Sequence, residues 1–335
     1  MGSVMHFKAL VVEKTADKQF GREVRERSID DLPPGDLVLQ VHYSSLNFKD
    51  ALSATGHPGV TRQFPHTPGI DAAGEVVSCE SGAFAPGEQV LVTGYDLGME
   101  TDGGWGQYLR IPSEWAVRLP VGLTLRESMA LGTAGFTAAL SALKLVRAGV
   151  RPEDGDILVT GATGGVGSIA VAILAGAGYR VVASTGKSMD ADFLVDLGAA
   201  EVLGREEVAA GAEKALLAER WAGAVDVVGG QTLAAVLKST KYGGSVTCCG
   251  LVGSPELPVN MYPFILRGVS LVGIDSVQCP RNLREDVWQR LATCWKPARL
   301  GEMVTECTLS GLEVMIQAIL CGGITGRVVV NLRQS

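Results

Sequence analysis

The chain has 335 residues, 47% of them hydrophobic and 19% charged, with a formal net charge of −7. At ~150 residues per domain that length allows two domains, each with a sizeable core. The acidic balance without a basic cluster argues against nucleic acid or an anionic membrane as the main partner, and no run approaches the ~18 uninterrupted apolar residues of a membrane helix.

The start has no signal-peptide apolar core. Residues 1–4 read as an added remnant, with Met5 as the natural start, and a cytoplasmic location is expected. Residues 7–12 read as a strand. A Leu32-Pro33-Pro34-Gly35 turn precedes residues 36–44, whose polar and apolar positions alternate as in a half-buried strand. Residues 69–77 and 88–92 are further short strands with Pro86-Gly87 between them, and residues 103–110 lead into another. Many short strands divided by turns predict a barrel-like domain. Thr124 followed by Glu127 resembles a capping box and opens a helical stretch through Met129, continued over residues 134–145. From Asp156 onward strands (157–160, 180–184, 225–228, 244–248, 269–273) alternate with helices (169–177, 191–197, 233–237). That alternation predicts an α/β, doubly wound parallel sheet. The tail reads as a helix over 314–319 and a strand over 326–331 that could return to the first domain. The expected division is 5–125 with 306–335, and 126–305.

Seven scattered cysteines and four histidines show no C-x-x-C pair and no metal-ligand spacing. They read as free thiols and structural imidazoles, and no metal site is expected.

The stretch with most chemical content is Leu158-Val159-Thr160-Gly161-Ala162-Thr163-Gly164-Gly165-Val166-Gly167. A buried strand runs into a glycine turn that opens a helix, the geometry that binds a dinucleotide pyrophosphate. Gly161 would turn the chain, Gly164 admit the phosphates, and Gly167 let helix pack on strand. The following strand ends in Ser184 and Thr185, then Gly186-Lys187, with no acid before Asp190. A carboxylate there would hold a ribose 2′-hydroxyl and repel a 2′-phosphate, whereas hydroxyls and a lysine can bind the phosphate. The expected cofactor is NADPH, with Thr185 and Lys187 as its readers. The alternative is an ordinary solvated lysine at 187.

Several motifs point further. They are Ser44-Ser45-Leu46-Asn47-Phe48-Lys49-Asp50-Ala51, Pro68-Gly69-Ile70-Asp71, Gly132-Thr133-Ala134-Gly135-Phe136-Thr137-Ala138, Tyr242-Gly243-Gly244, Pro263-Phe264-Ile265-Leu266-Arg267 and Gly273-Ile274-Asp275-Ser276-Val277. Together, over nearly the whole chain, they resemble the NADPH-dependent acryloyl-CoA reductase family. That family lies near the zinc-free quinone oxidoreductases of the medium-chain dehydrogenase/reductase superfamily. The resemblance implies a GroES-like β-barrel catalytic domain, a Rossmann domain and a homodimer paired through an edge strand near 269–273. It implies NADPH-dependent reduction of acryloyl-CoA, or a similar small enoyl thioester, to propanoyl-CoA. Where zinc-dependent relatives carry Cys and Gly-His-Glu, this chain has Ser45-Leu46-Asn47 and Gly69-Ile70-Asp71, which supply neither thiolate nor imidazole.

Asn47 is the candidate for orienting nicotinamide or substrate, with a turn residue as its alternative. Lys49 and Asp50 either form an ion pair shaping the site or leave Asp50 to cap a helix. Asp71 reads as a buried hydrogen-bond anchor. Phe48 stands where the family usually shows Tyr, which removes the phenol as proton donor. The resemblance also implies that Thr133, Tyr242, Cys249, Leu251, Ser276 and Arg327 lie near NADPH. Tyr242 would meet the ribose–adenine end, and Arg327 would bind phosphate or close the site. A quinone reductase and a non-catalytic NADPH-binding sensor are the competing readings.

Overall fold

A computed structural model describes residues 5–17 and 19–334, so the expectation for residues 1–4 lies outside the described residues. In chain order the elements are β1 (His6–Lys14), β2 (Phe20–Ser28), β3 (Leu37–Leu46), α1 (Phe48–Ala54), β4 (Asp71–Cys79), β5 (Gln89–Thr93), β6 (Tyr108–Ile111), β7 (Val117–Arg118) and α2 (Leu125–Arg147). Then come β8 (Ile157–Thr160), α3 (Gly165–Gly176), β9 (Val181–Thr185), α4 (Ala191–Asp196), β10 (Glu201–Gly204), α5 (Arg205–Ala209), β11 (Trp221–Asp226), α6 (Gly230–Ser239), β12 (Thr240–Cys248), α7 (Tyr262–Arg267) and β13 (Ser270–Gly273). The chain closes with α8 (Arg281–Leu291), β14 (Val304–Cys307), α9 (Leu312–Leu320) and β15 (Arg327–Asn331).

The chain divides into two units. The first comprises residues 1–133, 277–285 and 300–335, and the second residues 134–276 and 286–299. The first boundary falls after Thr133, not after residue 125 as the sequence pattern suggests. The short stretches 277–285 and 300–305 go with the first unit, because their contacts are made there.

The first unit is built on a seven-stranded sheet ordered β14-β15-β3-β4-β5-β7, with β6 also on β3. In β3 the alternation seen in the sequence sends Leu37, Leu39 and Val41 inward. They meet Val90, Val92, Trp105, Leu109 and Ile111, all buried, in one apolar core. The tail strand β15 does return to this unit, pairing antiparallel with β3 (Val328 opposite Leu46).

The capping box at the start of α2 is reciprocal. Thr124 N–H donates to Glu127 Oε2 at 2.9 Å and Glu127 N–H to Thr124 Oγ1 at 3.2 Å. The helix breaks at Gly132, whose φ of 52° and ψ of −156° are not helical. By length and composition α2 could cross a membrane, although no single uninterrupted apolar run in it is that long. However, 83% of its most apolar window is buried inside the molecule, as in a core helix.

The second unit carries six parallel strands ordered β10-β9-β8-β11-β12-β13. The chain runs outward through β8, β9 and β10, then restarts beside β8 with β11. The order therefore reverses between β8 and β11, and ligands of such sheets bind outside the carboxyl ends of the strands at that point. β11 departs from expectation: it spans Trp221–Asp226, not residues 225–228. Asp226 ends it, because its Oδ2 accepts the N–H groups of Val228 at 3.3 Å and Gly229 at 2.7 Å and turns the chain.

Candidate active site

The glycine turn sits at the switch point of the second unit. Gly161 has φ +57°, open to glycine at little cost. At Gly167 a Cβ would collide with Gly161 O and lie 2.7 Å from Ala162 Cα, so only glycine lets α3 start this close to the turn. Gly164 caps α3, and its carbonyl accepts Ser168 N–H at 2.9 Å. The N–H groups of Gly165, Val166 and Gly167 occupy the first helical positions, which have no acceptor within a helix. Gly164, Gly165 and Val166 are half-exposed while Ala162 and Thr163 are buried. This arrangement fits a pyrophosphate at a helix N-terminus.

The hydroxyls expected to read the 2′-phosphate are less accessible than the sequence suggests, since Ser184, Thr185 and Thr163 are all buried. Thr163 Oγ1 and Thr185 Oγ1 lie 3.0 Å apart, and Thr185 Oγ1 accepts Lys187 N–H at 3.0 Å. Two hydroxyls sharing one hydrogen bond leave one hydroxyl hydrogen over, a donor suited to an anion. No carboxylate stands at the end of β9, so the residues present fit NADPH.

Tyr242 requires a correction. It belongs to the N-terminal end of β12, which starts at Thr240 and not at residue 244, and its side chain is 78% exposed. Ser245 to Cys248 run beside Gly223 to Asp226, and Tyr242 lies in the irregular stretch before them, between the Thr240–Trp221 and Ser245–Gly223 pairs at the amino end of the strand. Tyr242 therefore stands at the opposite edge of the sheet from the glycine turn, and it does not reach a dinucleotide bound there. Cys249, Leu251 and Ser276 do follow the carboxyl ends of β12 and β13, on the same edge as the turn. Cys249 Sγ lies 3.6 Å from Asp226 O, and burial, with Asp226 beside it, pushes its thiol up to about 12, so it is no nucleophile.

Sequence reasoning missed Asp226 altogether. Fully buried, it accepts Thr160 Oγ1–H at 2.7 Å, while Thr160 Oγ1 accepts Val227 N–H at 3.1 Å. It thereby ties the strand before the glycine turn to the turn after β11. Burial raises its carboxyl above the ordinary value.

In the first unit Asn47, Asp50, Asp71, Thr133 and Arg327 converge. Asp71, wholly buried, accepts Ser45 Oγ–H at 2.5 Å, Asn47 Nδ2–H at 2.9 Å, Thr133 N–H at 3.0 Å and Thr133 Oγ1–H at 2.6 Å. Asp50 Oδ2 accepts Asn47 N–H at 2.7 Å and Nδ2–H at 3.0 Å, and Oδ1 accepts Ile70 N–H at 2.7 Å. Burial first, then the neighbouring Asp71, pushes the Asp50 carboxyl up to about 7. Among the described residues no ion pair joins Lys49 to Asp50. Asp50 instead occupies the third position of α1 and closes the helix start onto Asn47.

Two further expectations change here. Asn47 is buried, its amide nitrogen faces Ser45 Oγ, Asp50 and Asp71, and its Oδ1 accepts Arg327 Nη1–H at 3.2 Å. Both ends of the amide are engaged, so it fixes this network. Arg327 is 3% exposed, and it also donates to Ala130 O and Leu46 O. It is a buried tie between β15, α1 and α2, not a surface phosphate ligand. Its Nη2 is buried without a hydrogen-bond partner. Phe48, by contrast, is 42% exposed at the first position of α1. Among the described residues no three His, Cys, Asp or Glu side chains gather to hold a metal ion.

Comparison with known proteins agrees with this geometry. Residues 33–121 match the alcohol dehydrogenase GroES-like domain family and residues 165–293 the family described as zinc-binding dehydrogenase. The GroES-like first unit, the parallel sheet and the glycine turn define a medium-chain dehydrogenase/reductase. The provisionally named quinone oxidoreductase YhfP of Bacillus subtilis is 49% identical over 97% of this chain and 99% of its own. Acrylyl-CoA reductase AcuI of Ruegeria pomeroyi is 44% identical over the same shares. The yhdH oxidoreductase of Salmonella enterica, solved with NADP, has a TM-score of 0.94 and 42% identity over 98% of this chain and 99% of its own. The chain belongs to the quinone-oxidoreductase-like acryloyl-CoA reductase family of that superfamily.

Proposed function

We propose that this protein reduces the C=C bond of acryloyl-CoA, or a similar small enoyl thioester, to propanoyl-CoA with NADPH and without zinc, in the cytoplasm. The observation that carries the reading is the buried network around Asn47. Its amide N–H groups face both Asp50 and Asp71, so a hydrogen-bond donor stands where a cation would need bare carboxylate oxygens. A conjugated thioester does not need a Lewis acid, because its own π-system takes up the charge that develops on hydride addition. NADPH, when bound, supplies the hydride that reaches the β-carbon.

The residues around it bind and orient. The N–H groups of Gly165, Val166 and Gly167 take the pyrophosphate, with Gly161, Ala162, Thr163 and Gly164 shaping the turn. Thr163, Ser184, Thr185 and Lys187 surround the 2′-phosphate, and Cys249, Leu251 and Ser276 line the same sheet edge. In the first unit Asp71 holds Thr133 in place, while Asp50, Asn47 and Arg327 fix the start of α1 and so present Phe48. A phenyl ring cannot donate a proton, so water or another donor delivers it to the α-carbon. The assembly proposed is a homodimer through β13, an edge strand of the parallel sheet. Sedimentation showing only a monomer would reject that assembly.

A second reading, quinone reduction, is favoured by the name of the Bacillus relative. Following NADPH loss with acryloyl-CoA and with a simple quinone separates the two. A kcat/KM for acryloyl-CoA higher by orders of magnitude supports the main reading, and the reverse order supports the second. Turnover of neither, with NADPH still bound, leaves a non-catalytic role.

A further inference from the structure

We infer that a cleft on the first unit, apart from the cofactor and substrate machinery described above, binds a small phosphorylated anion, with Arg333 as its charged anchor and His6, Gln40, His42 and Tyr108 as neutral donors around it. The cavity measures about 510 Å³, the size of a small-molecule site. Its polar lining is His6, Gln40, His42, Gln107, Tyr108 and Arg333, and among the described residues no acid lines it.

Separate segments build the cleft. His6 opens β1, Gln40 and His42 lie on β3, Gln107 and Tyr108 lead into β6, and Arg333 follows β15. Tyr108 stands directly opposite Gln40. Gln107 N–H donates to Lys8 O at 3.0 Å, which ties in β1, and Leu332 N–H donates to His42 O at 3.0 Å, which brings Arg333 alongside. β3 pairs Val41 with Gly74 and Tyr43 with Ala73, so His42 is one residue more than β4 has to match. A bulge of this kind re-aims a side chain, and here His42 lines the cleft.

Among the described residues the side chains of Gln40, His42, Tyr108 and Arg333 have no hydrogen-bond partner, and Arg333 has no ion pair. Elsewhere in the same unit Arg22, Arg25, Arg27, Arg118 and Arg126 each pair with a carboxylate. Two acids stand outside the cleft. Glu26 Oε1 lies 3.5 Å from His6 Nδ1, which leaves the other ring nitrogen clear of it. Burial lowers the His42 imidazole from its ordinary value, with Glu75 raising it and Arg333 lowering it. A neutral imidazole still donates one N–H. A guanidinium fork holds a phosphate bidentately, and the neutral N–H and O–H donors beside it match the remaining phosphate oxygen. A carboxylate has only two oxygens and would leave part of that donor set unused.

The test uses the histidines, of which the chain has only four. Full-length protein carrying isotopically labelled histidine is saturated with NADPH, so that the glycine turn is filled. It is then titrated with inorganic phosphate at constant pH and ionic strength, and the ring signals are followed by NMR. The His6 and His42 signals should shift to saturation, while those of His57 and His66, which lie outside the cleft, should stay in place. Glycerol phosphate should saturate the same two signals, and acetate should bind more weakly than either. Arg333→Ala should weaken phosphate by about 10-fold or more, the scale of a lost charge-assisted hydrogen bond. Arg333→Lys, which keeps the charge and loses the fork, should fall between. Unchanged His57 and His66 signals in both variants report an intact fold. A linear drift of all four signals, or equal saturation in wild type and Arg333→Ala, would overturn the site. Acetate binding as tightly as phosphate would overturn its assignment to a phosphorylated ligand. The reductase reading stands or falls separately, because no acyl thioester is present.

Discussion

Asp50 gives the sharpest test of the buried network, because its protonation couples to folding. Its carboxyl sits at about 7 in the folded protein, raised chiefly by burial and then by Asp71, against an ordinary 3.8. In the unfolded chain it returns to ~3.9. The folded state therefore keeps a proton that the unfolded state has released. For a raised acid the stabilisation is complete below the unfolded value and is lost as pH climbs to the folded one, so stability should fall between pH ~4 and ~7 and level off above. Three units at ~1.4 kcal/mol each make that fall about 4 kcal/mol. Asp50→Asn has nearly the same shape and keeps one oxygen for the Ile70 or Asn47 N–H. It should cost about 1 kcal/mol for the lost acceptor near pH ~4, where Asp50 is protonated in the folded protein, and remove the Asp50 share of the slope, so that the variant becomes the more stable of the two above pH ~7. The assay is the urea midpoint from pH ~4 to ~8 for both proteins. Asp36, held down at about 2 by the Ser81 and Ser113 hydroxyls, and Asp226, raised by burial, contribute equally to both curves. The difference curve isolates Asp50. Parallel curves would refute the reasoning.

Three other substitutions probe separate links. Asp71→Ala removes the shared acceptor of the Asn47 amide, the Ser45 hydroxyl and two Thr133 donors, and the carboxylate beside the buried Arg327 cation. A loss of about 3–5 kcal/mol is expected in denaturant unfolding, and a loss under ~1 kcal/mol would contradict the network's role. Gly167→Ala puts a methyl against the backbone of Gly161 and Ala162. It should cost about 1–3 kcal/mol of stability and weaken NADPH and NADH alike by at least ~10-fold in a binding titration, since the pyrophosphate is common to both. Tyr242→Ala, at the far edge of the sheet, should change NADPH affinity by less than ~2-fold and stability by less than ~0.5 kcal/mol; a large affinity loss would restore its place at the cofactor.

Signals that act within a few residues are legible in the sequence itself. The Thr124–Glu127 box, the strand Ile157–Thr160 and the glycine turn need only neighbours along the chain. The position of β11 is not legible in this way, because Trp221-Ala222-Gly223-Ala224 looks weak as a strand and Val227-Val228 looks strong. Burial of all six residues supports the former, and the Asp226 carboxylate turns the latter out of the sheet. Tyr242 misleads for a related reason: a strand's start shows in sequence less clearly than its apolar centre, and the start decides which sheet edge a residue occupies. In the first unit the Asn47 and Asp50 spacing foretells a helix start. That Asp71 and Arg327 meet the Asn47 amide, with Thr133 on the same Asp71 carboxylate, is illegible, because these residues arrive from three distant segments.

The central claim is hydride delivery to the β-carbon of an enoyl thioester. The most direct measurement uses NADPH carrying deuterium at the transferable nicotinamide position, with acryloyl-CoA, and locates the label in the product. The account predicts propanoyl-CoA with one deuterium on the β-carbon and a solvent-derived hydrogen on the α-carbon. Unlabelled thioester, with label lost to solvent or transferred only when a quinone is supplied, would contradict it.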